Sequence, residues 1–474
     1  MRLKYLFFFL LSINLNSQIE LNNLFTDNMV LQQNSNVNFW GSADIGEELV
    51  INTTWSEEKF RTKVRNNGTW FLKIKTPKAG GPYSISILCN NDTKLIENIL
   101  IGEVWLASGQ SNMEMTLSGR NREPVIGSQD MIAKSNNPNI RFITVGRKTS
   151  DKPETTFSGN WVESSHKTSP KFSAVAYSYA NYLNEVLDVP VGIIHSSFGG
   201  SPAEAWINNK TLNQTLSKEE LNYNIKSEHH KPSSLFNGMI NPIIPFNING
   251  VIWYQGESNV SRYKNYTQVM NNLIRSWRSE WGLGDFSFYF VQIAPNGSTN
   301  QGDGTTQAFL REAQLKTMQS MKNTGMVVTL DIGSTYTNHP PEKKLVGKRL
   351  AYWALAKDYG YNNLKFSGPI YDSHNVSDGK VYVKFKYAVN GVTSFGNELN
   401  GFEIAGIDKV FYNADASIDP HWSAKPGERS VLILKSDKVP NPLYIRYAWK
   451  NYIDGSLYNV EGLPASSFRS YDFE

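Results

Sequence analysis

From about residue 18 to residue 100 the chain alternates apolar and polar positions in short runs. Residues 37–40, 48–53, 70–75 and 83–88 carry β-branched or aromatic side chains on every second position, the period of a half-buried strand. Turn residues such as Asn66-Asn67-Gly68 and Gly80-Gly81-Pro82 separate them. This pattern predicts a small N-terminal β-domain of sandwich type over residues 18–100. After Ile101 the period changes. Continuous apolar runs, which suit strands buried on both faces, alternate with helical spacing. The strands fall at 191–195, 250–254, 286–293 and 326–330, and the helices at 172–187, 263–281, 306–321 and 342–356. In the first helix Phe172, Val175, Ala176, Tyr179, Leu183 and Val186 share one face. Strand–helix alternation predicts a parallel sheet covered on both sides, here over residues 101–365. From 366 to 474 strands return without helices, as at 381–385, 431–434 and 443–449. They predict a C-terminal β-domain, or strands that complete the first one.

Polar insertions interrupt the α/β part at 116–169 and 210–232. The second carries His229-His230. Both are placed to cover or border a cleft. The strands themselves end in polar, glycine-bearing loops: Ser108-Gly109-Gln110-Ser111-Asn112, Ser196-Ser197-Phe198-Gly199-Gly200-Ser201, Gln255-Gly256-Glu257-Ser258-Asn259 and Asp331-Ile332-Gly333. In an open α/β sheet such loops gather at the carboxyl edge, where ligands bind.

Composition changes little in this picture. The 474 residues exceed one hydrophobic core, so two or three domains are expected. A net charge of +4 with no basic tract argues against a nucleic-acid partner. The 12% aromatic content suits β-rich domains and sugar-facing surfaces. Arg2 and Lys4, an apolar core over residues 5–13 and small residues near Asn16-Ser17 have the order of a secretory signal peptide, with a mature start near Gln18. No later apolar run is long enough to span a bilayer, so a soluble periplasmic or secreted protein is expected. The single cysteine, Cys89, follows a strand-like run and is read as buried packing.

Ester hydrolysis by serine needs a nucleophile, a base, something to orient that base, and donors for the oxyanion. Ser111, on a tight turn after an apolar strand, is the candidate nucleophile. Of seven histidines, His339 is the best-placed base, because its loop joins a strand end to the last helix. His195 ends a buried strand and is read as a satisfied core residue. Gly199-Gly200 offers unobstructed backbone N–H groups, and Gln255 or Asn259 an amide side chain, for the oxyanion.

Five blocks, in order, resemble the sialate O-acetylesterase family of SGNH-type hydrolases. They are Gly109-Gln110-Ser111-Asn112-Met113-Glu114, Phe198-Gly199-Gly200-Ser201-Pro202-Ala203-Glu204-Ala205-Trp206, Phe236-Asn237-Gly238-Met239-Ile240-Asn241-Pro242, Gly250-Val251-Ile252-Trp253-Tyr254-Gln255-Gly256-Glu257-Ser258-Asn259 and Leu457-Tyr458-Asn459-Val460-Glu461-Gly462-Leu463-Pro464-Ala465-Ser466. The resemblance implies a flavodoxin-like core, Ser111 as nucleophile and His339 as base. It also implies an oxyanion hole from the N–H groups of Ser111 and Gly200 with the Gln255 side chain, and neither metal nor cofactor. Its substrate class is O-acetylated sugar, sialic acid being the named case. Relatives usually carry an acid just before the histidine, where this chain has Thr337 and Asn338. Asp331 is the nearest acid upstream and would orient His339 if the loop folds back; otherwise Glu257, a backbone carbonyl, or nothing does so. Arg120, Arg122 and Arg262 are candidate readers of a sugar carboxylate. Two rival functions remain: an esterase of acetylated xylan or another polysaccharide, and a carbohydrate-binding protein with a degenerate hydrolase core.

Overall fold

A computed structural model describes residues 19–90, 92–298, 304–419 and 431–473. The expected signal peptide and His421 lie outside them. The molecule is built around one long strand, β1 (Asp92–Gly109). Its first half pairs with strands of the N-terminal β region, Gly80–Cys89 antiparallel and Val30–Gln32 parallel. Its second half is the centre of a parallel sheet. The boundary expected at residues 100–101 therefore falls inside a continuous strand, and one sheet of eleven strands joins the two regions. Every residue from Ile99 to Gly109 is buried except for traces of surface, which a strand covered on both faces requires.

The other core strands are β2 (Asn137–Thr144), β3 (Val191–Ser197), β4 (Gly250–Tyr254), β5 (Ser287–Val291) and β6 (Thr324–Val327). They lie in the order β2-β3-β1-β4-β5-β6, all parallel. Apart from β2, which lies outside β3 and is itself flanked by the antiparallel strand Val162–Ser164, this is the 2-1-3-4-5 order of flavodoxin-like folds. The switch point, where the chain leaves β1 for opposite sides of the sheet, lies between β1 and β4. Ser111 follows β1 directly. The register brings Ser197, Gly109 and Tyr254 side by side, so three loops leave the same edge together.

Alternation along β1 divides the core. Val104 and Leu106 pack on one side of the sheet, and Trp105 and Ala107 on the other. The second face is covered by α2 (Ala174–Leu187) and α5 (Lys343–Lys357); the first by α3 (Tyr263–Trp281) and α4 (Thr306–Ser320). The short α1 (Ser111–Glu114) carries the nucleophile candidate. Ser173 caps α2 by accepting from Ala176 N–H at 3.1 Å, and donates to Met113 O at 2.6 Å, which ties the start of α2 to α1. α2 and α5 approach backbone to backbone at Gly347, where a Cβ would stand 2.5 Å from Val175 O.

Among the described residues the C-terminal strands form two four-stranded antiparallel sheets and a two-stranded one. They dock on the core through buried Arg311, which donates to Ala448 O at 3.1 Å and Lys450 O at 2.6 Å, and through Gln292, whose amide donates to Ser466 Oγ at 2.9 Å. The mixed α/β core with its parallel sheet and the separate antiparallel sheets are as the sequence pattern predicts. No helix of the described residues is long and apolar enough to cross a membrane.

Gly347→Val tests the α2–α5 contact. Overpacking against backbone costs about 1–3 kcal/mol, which lowers Tm by several degrees in a scanning calorimeter. An unchanged Tm would mean that the two helices are not in contact.

Candidate active site

Gly109 sets the geometry of the turn after β1. Its φ of +138° lies outside the range open to other residues, and a Cβ there would stand 2.2 Å from Tyr254 O. Gln110 N–H then donates to Tyr254 O at 2.9 Å, and Ser111 begins α1 at the sheet edge. The Gly199-Gly200 turn lies against it: a Cβ on Gly199 would meet Ser111 Cβ at 3.5 Å and Glu114 Oε2 at 2.9 Å.

Ser111 Oγ stands 2.7 Å from His339 Nε2. The other ring nitrogen, Nδ1, faces both oxygens of Glu123, at 2.8 and 2.9 Å. Thr337 locks this arrangement. Its hydroxyl donates to Glu123 Oε1 at 2.5 Å and accepts from His339 N–H at 3.1 Å. Burial works against the Glu123 carboxylate, but the bonds from Thr337 and His339 outweigh it and hold its pKa below the usual value. The His339 side chain is 14% exposed. Burial pushes its pKa down, Glu123 opposes this, and the cations Lys343 and Arg120 add to the lowering. The ring is therefore neutral at pH 7, the state a general base requires.

Asp331 does not orient His339. It is held by Arg349, with bonds of 2.8 and 2.6 Å, because a guanidinium buried in the middle of α5 needs a carboxylate. Glu257 does not orient it either; Glu257 Oε1 accepts from Asn112 Nδ2 at 2.6 Å. The orienting acid is 216 positions upstream of the histidine, in the first insertion. There the backbones of Arg120 and Glu123 bond each other across a tight turn, with Arg122 in the left-handed region at φ +63°. Nothing local marks Glu123, since the only signal is its partner's position in space.

Gln255 and Asn259 also have other work. Both Gln255 amide hydrogens are engaged, with Ser201 O at 3.1 Å and Asn259 Oδ1 at 2.8 Å, and its oxygen accepts from Tyr266 at 2.8 Å. Asn259 Nδ2 donates to both oxygens of Glu204, at 3.1 and 2.9 Å, and Oδ1 accepts from Ala203 N–H at 3.0 Å. Both side chains are buried, and their amides shape the loop after Gly200 because its polar groups need partners. Gly200, at φ +77°, remains open at the mouth.

The second insertion borders the site. His229 stacks on Phe198 with ring centroids 4.4 Å apart, and a Cβ on Gly200 would stand 3.7 Å from His229 Nε2. A cavity of about 490 Å³ opens here, lined in part by Gly200, Tyr223, Lys226, His230 and Arg262. A larger one, about 820 Å³, lies at the opposite edge of the sheet, where Ser287 and Thr324 begin their strands. Arg120 and Arg147 both pair with Glu114, and Arg262 pairs with Glu204 at 3.2 Å while lying over the Tyr223 ring. Arg122 is exposed. His195 is a core residue as expected, bonded to Ser197 at 2.6 Å and pushed down to about 4 by burial. Among the described residues no group of three His, Cys, Asp or Glu could hold a metal ion.

The sequence profile of the carbohydrate esterases described as sialic acid-specific acetylesterases matches residues 101–356, more than half of the chain. The chain belongs to this family. The family's core coincides with the parallel sheet and the loops that carry Ser111 and His339. Human sialate O-acetylesterase is 28% identical over 381 residues, covering 73% of this chain and 72% of its own. The mouse enzyme of that name is 28% identical over 407 residues, covering 72% and 74%. The crystal structure of a carbohydrate acetylesterase from Xanthomonas citri superposes with a TM-score of 0.87 at 30% identity, over 96% of this chain and all of that one.

The acid assignment is tested by two variants. A wrong tautomer costs on the order of 10⁴ in turnover in a serine triad, so Glu123→Gln lowers kcat by roughly that factor. Asp331→Asn acts through Arg349 and lowers Tm more than kcat. Steady-state kinetics beside thermal melts separate them, and the reverse order would restore Asp331.

Proposed function

We propose that the protein is a carbohydrate O-acetylesterase working through an acyl-enzyme. The observation that carries this reading is the unbroken chain of hydrogen bonds from Ser111 Oγ through the His339 ring to Glu123. Ser111 Oγ attacks the acetyl carbonyl while its proton passes to His339 Nε2. The Nδ1–H group donates to Glu123, whose charge stabilises the imidazolium that forms. The oxyanion is received by the N–H groups of Ser111 and Gly200. His339 returns the proton to the departing sugar oxygen, leaving acetyl on Ser111. Water, deprotonated by the same ring, then releases acetate. The N-terminal apolar segment supports export, and so a substrate outside the cytoplasm.

For the sugar, the curated relatives support O-acetylated sialate. A second reading, acetyl groups on a neutral polysaccharide, is favoured by the arginines. Arg120, Arg147 and Arg262 each already meet a carboxylate of the chain, Glu114 or Glu204, which weakens their pull on a sialate carboxylate.

Ser111→Ala abolishes acetate release from an acetylated sugar at unchanged Tm; retained turnover would reject the nucleophile. Acetate release measured on O-acetylated sialic acid and acetylated xylan in parallel decides between the two sugars. The pH profile follows from His339. Activity needs the neutral ring, so kcat/KM falls as pH drops through the ring's pKa. Because that pKa is lowered, the acid limb has its midpoint below the ordinary histidine value of about 6.5. A midpoint above that value would contradict the environment described for the ring.

A further inference from the structure

Behind the Ser111–His339 pair lies a polar cluster that the mechanism above does not use. Lys343, the first residue of α5, is fully buried. Its ammonium donates to Asn112 Oδ1 and lies 5.4 Å from the centre of the Tyr254 ring. The amide nitrogen of Asn112 donates in two directions, to Glu257 Oε1 at 2.6 Å and to Asn338 O at 2.9 Å. Asn112 follows the nucleophile and Asn338 precedes the base. One side chain therefore spans the two loops whose separation sets the 2.7 Å contact.

An amide can serve as this strut in one orientation only. Flipped by 180°, it would turn its oxygen toward the Glu257 carboxylate and the Asn338 carbonyl, both acceptors, and its N–H groups toward an ammonium, which only donates. Lys343 on one side and Glu257 on the other exclude the flip. We propose that Lys343 is a positioning residue for the Ser111–His339 pair, acting through the side-chain amide of Asn112. The proposal rests on Ser111 being the nucleophile.

Lys343 acts on the pair a second way, by charge. The charged groups that face it are Glu257, Glu123 and Arg120, and those that face His339 are Glu123, Lys343 and Arg120. Burial brings Lys343 down to about 7, so it is cationic over the lower pH range in which His339 titrates. There it disfavours the imidazolium and keeps the base available.

The test uses the full-length protein and a fluorophosphonate, which phosphonylates an activated serine without any sugar. Ser111 labelling, followed by intact mass, is compared with acetate release in the wild type, Lys343→Met and Lys343→Gln. Wild-type protein that is not labelled at Ser111 rejects the nucleophile itself; labelling without acetate release rejects only the esterase reading. The inference then stands on the variants. Misplacement of about 1 Å can cost 10²-fold, so K343M slows both labelling and kcat by about ten- to a hundredfold at nearly unchanged KM, and its acid limb moves to higher pH. K343Q keeps a donor near Asn112. It recovers part of the lost rate but shows the same displacement of the acid limb. Folded K343M with wild-type labelling and an unmoved acid limb overturns the proposal. So does an equal loss in both variants with no movement of the limb, which a purely structural role would give. If K343M does not fold, K343Q alone decides on the movement of its acid limb.

Discussion

A single hydrogen bond between residues 228 positions apart, Ser111 Oγ and His339 Nε2, is what the rest of the molecule holds in place. The two side chains come from segments at the carboxyl edge of one parallel sheet, Ser111 from the start of the short α1 and His339 from an irregular loop. Their positions follow from the strands. β1 and β4 end in register, Gly109 admits the Tyr254 carbonyl where any Cβ would clash, and Ser111 emerges at the switch point. Asn112 then reaches across to the loop that carries the histidine. A hydrogen bond of this kind falls off steeply with distance and angle, so the loops must be fixed to a fraction of an ångström. That requirement accounts for how many buried polar side chains near the site bond to backbone.

The electrostatics are arranged in pairs. Glu123 meets His339, Glu114 meets Arg120 and Arg147, Glu204 meets Arg262, and Asp331 meets Arg349. A carboxylate near a catalytic imidazole would raise its pKa if it acted alone. Burial, with Lys343 and Arg120 close by, more than offsets it. The ring is oriented by one charge and kept neutral by its surroundings. Glu114 neutralises only one of its two arginines, so the mouth keeps some positive charge, and this bears on which sugar can be received.

Much of the fold was legible because its period is strong. The change from alternating strands to strand–helix repeats near residue 101 marks the parallel sheet, and the polar ends of its strands mark the edge. Ser111 and His339 could be picked out for the same reason: each lies just past an apolar run. The orienting acid could not. Glu123 sits in a polar insertion with no periodicity, and only the fold brings it to the ring. Asp331 was attractive by proximity in sequence, but a buried arginine on α5 claims it. Gln255 and Asn259 looked like oxyanion donors because they are amides at a strand end. Their hydrogens are needed by the loop's own carbonyl and carboxylate acceptors. Lys343 was hidden by its type, since a lysine at the start of a helix is ordinarily solvated.

The measurement closest to the central claim is the protonation state of the His339 ring, read by nitrogen-15 NMR of histidine-labelled protein with His339→Gln assigning the signals. The account predicts that above its pKa the ring holds its proton on Nδ1, against Glu123, leaving Nε2 free to accept from Ser111. A ring with the proton on Nε2, or one exchanging freely between the two tautomers, would contradict it.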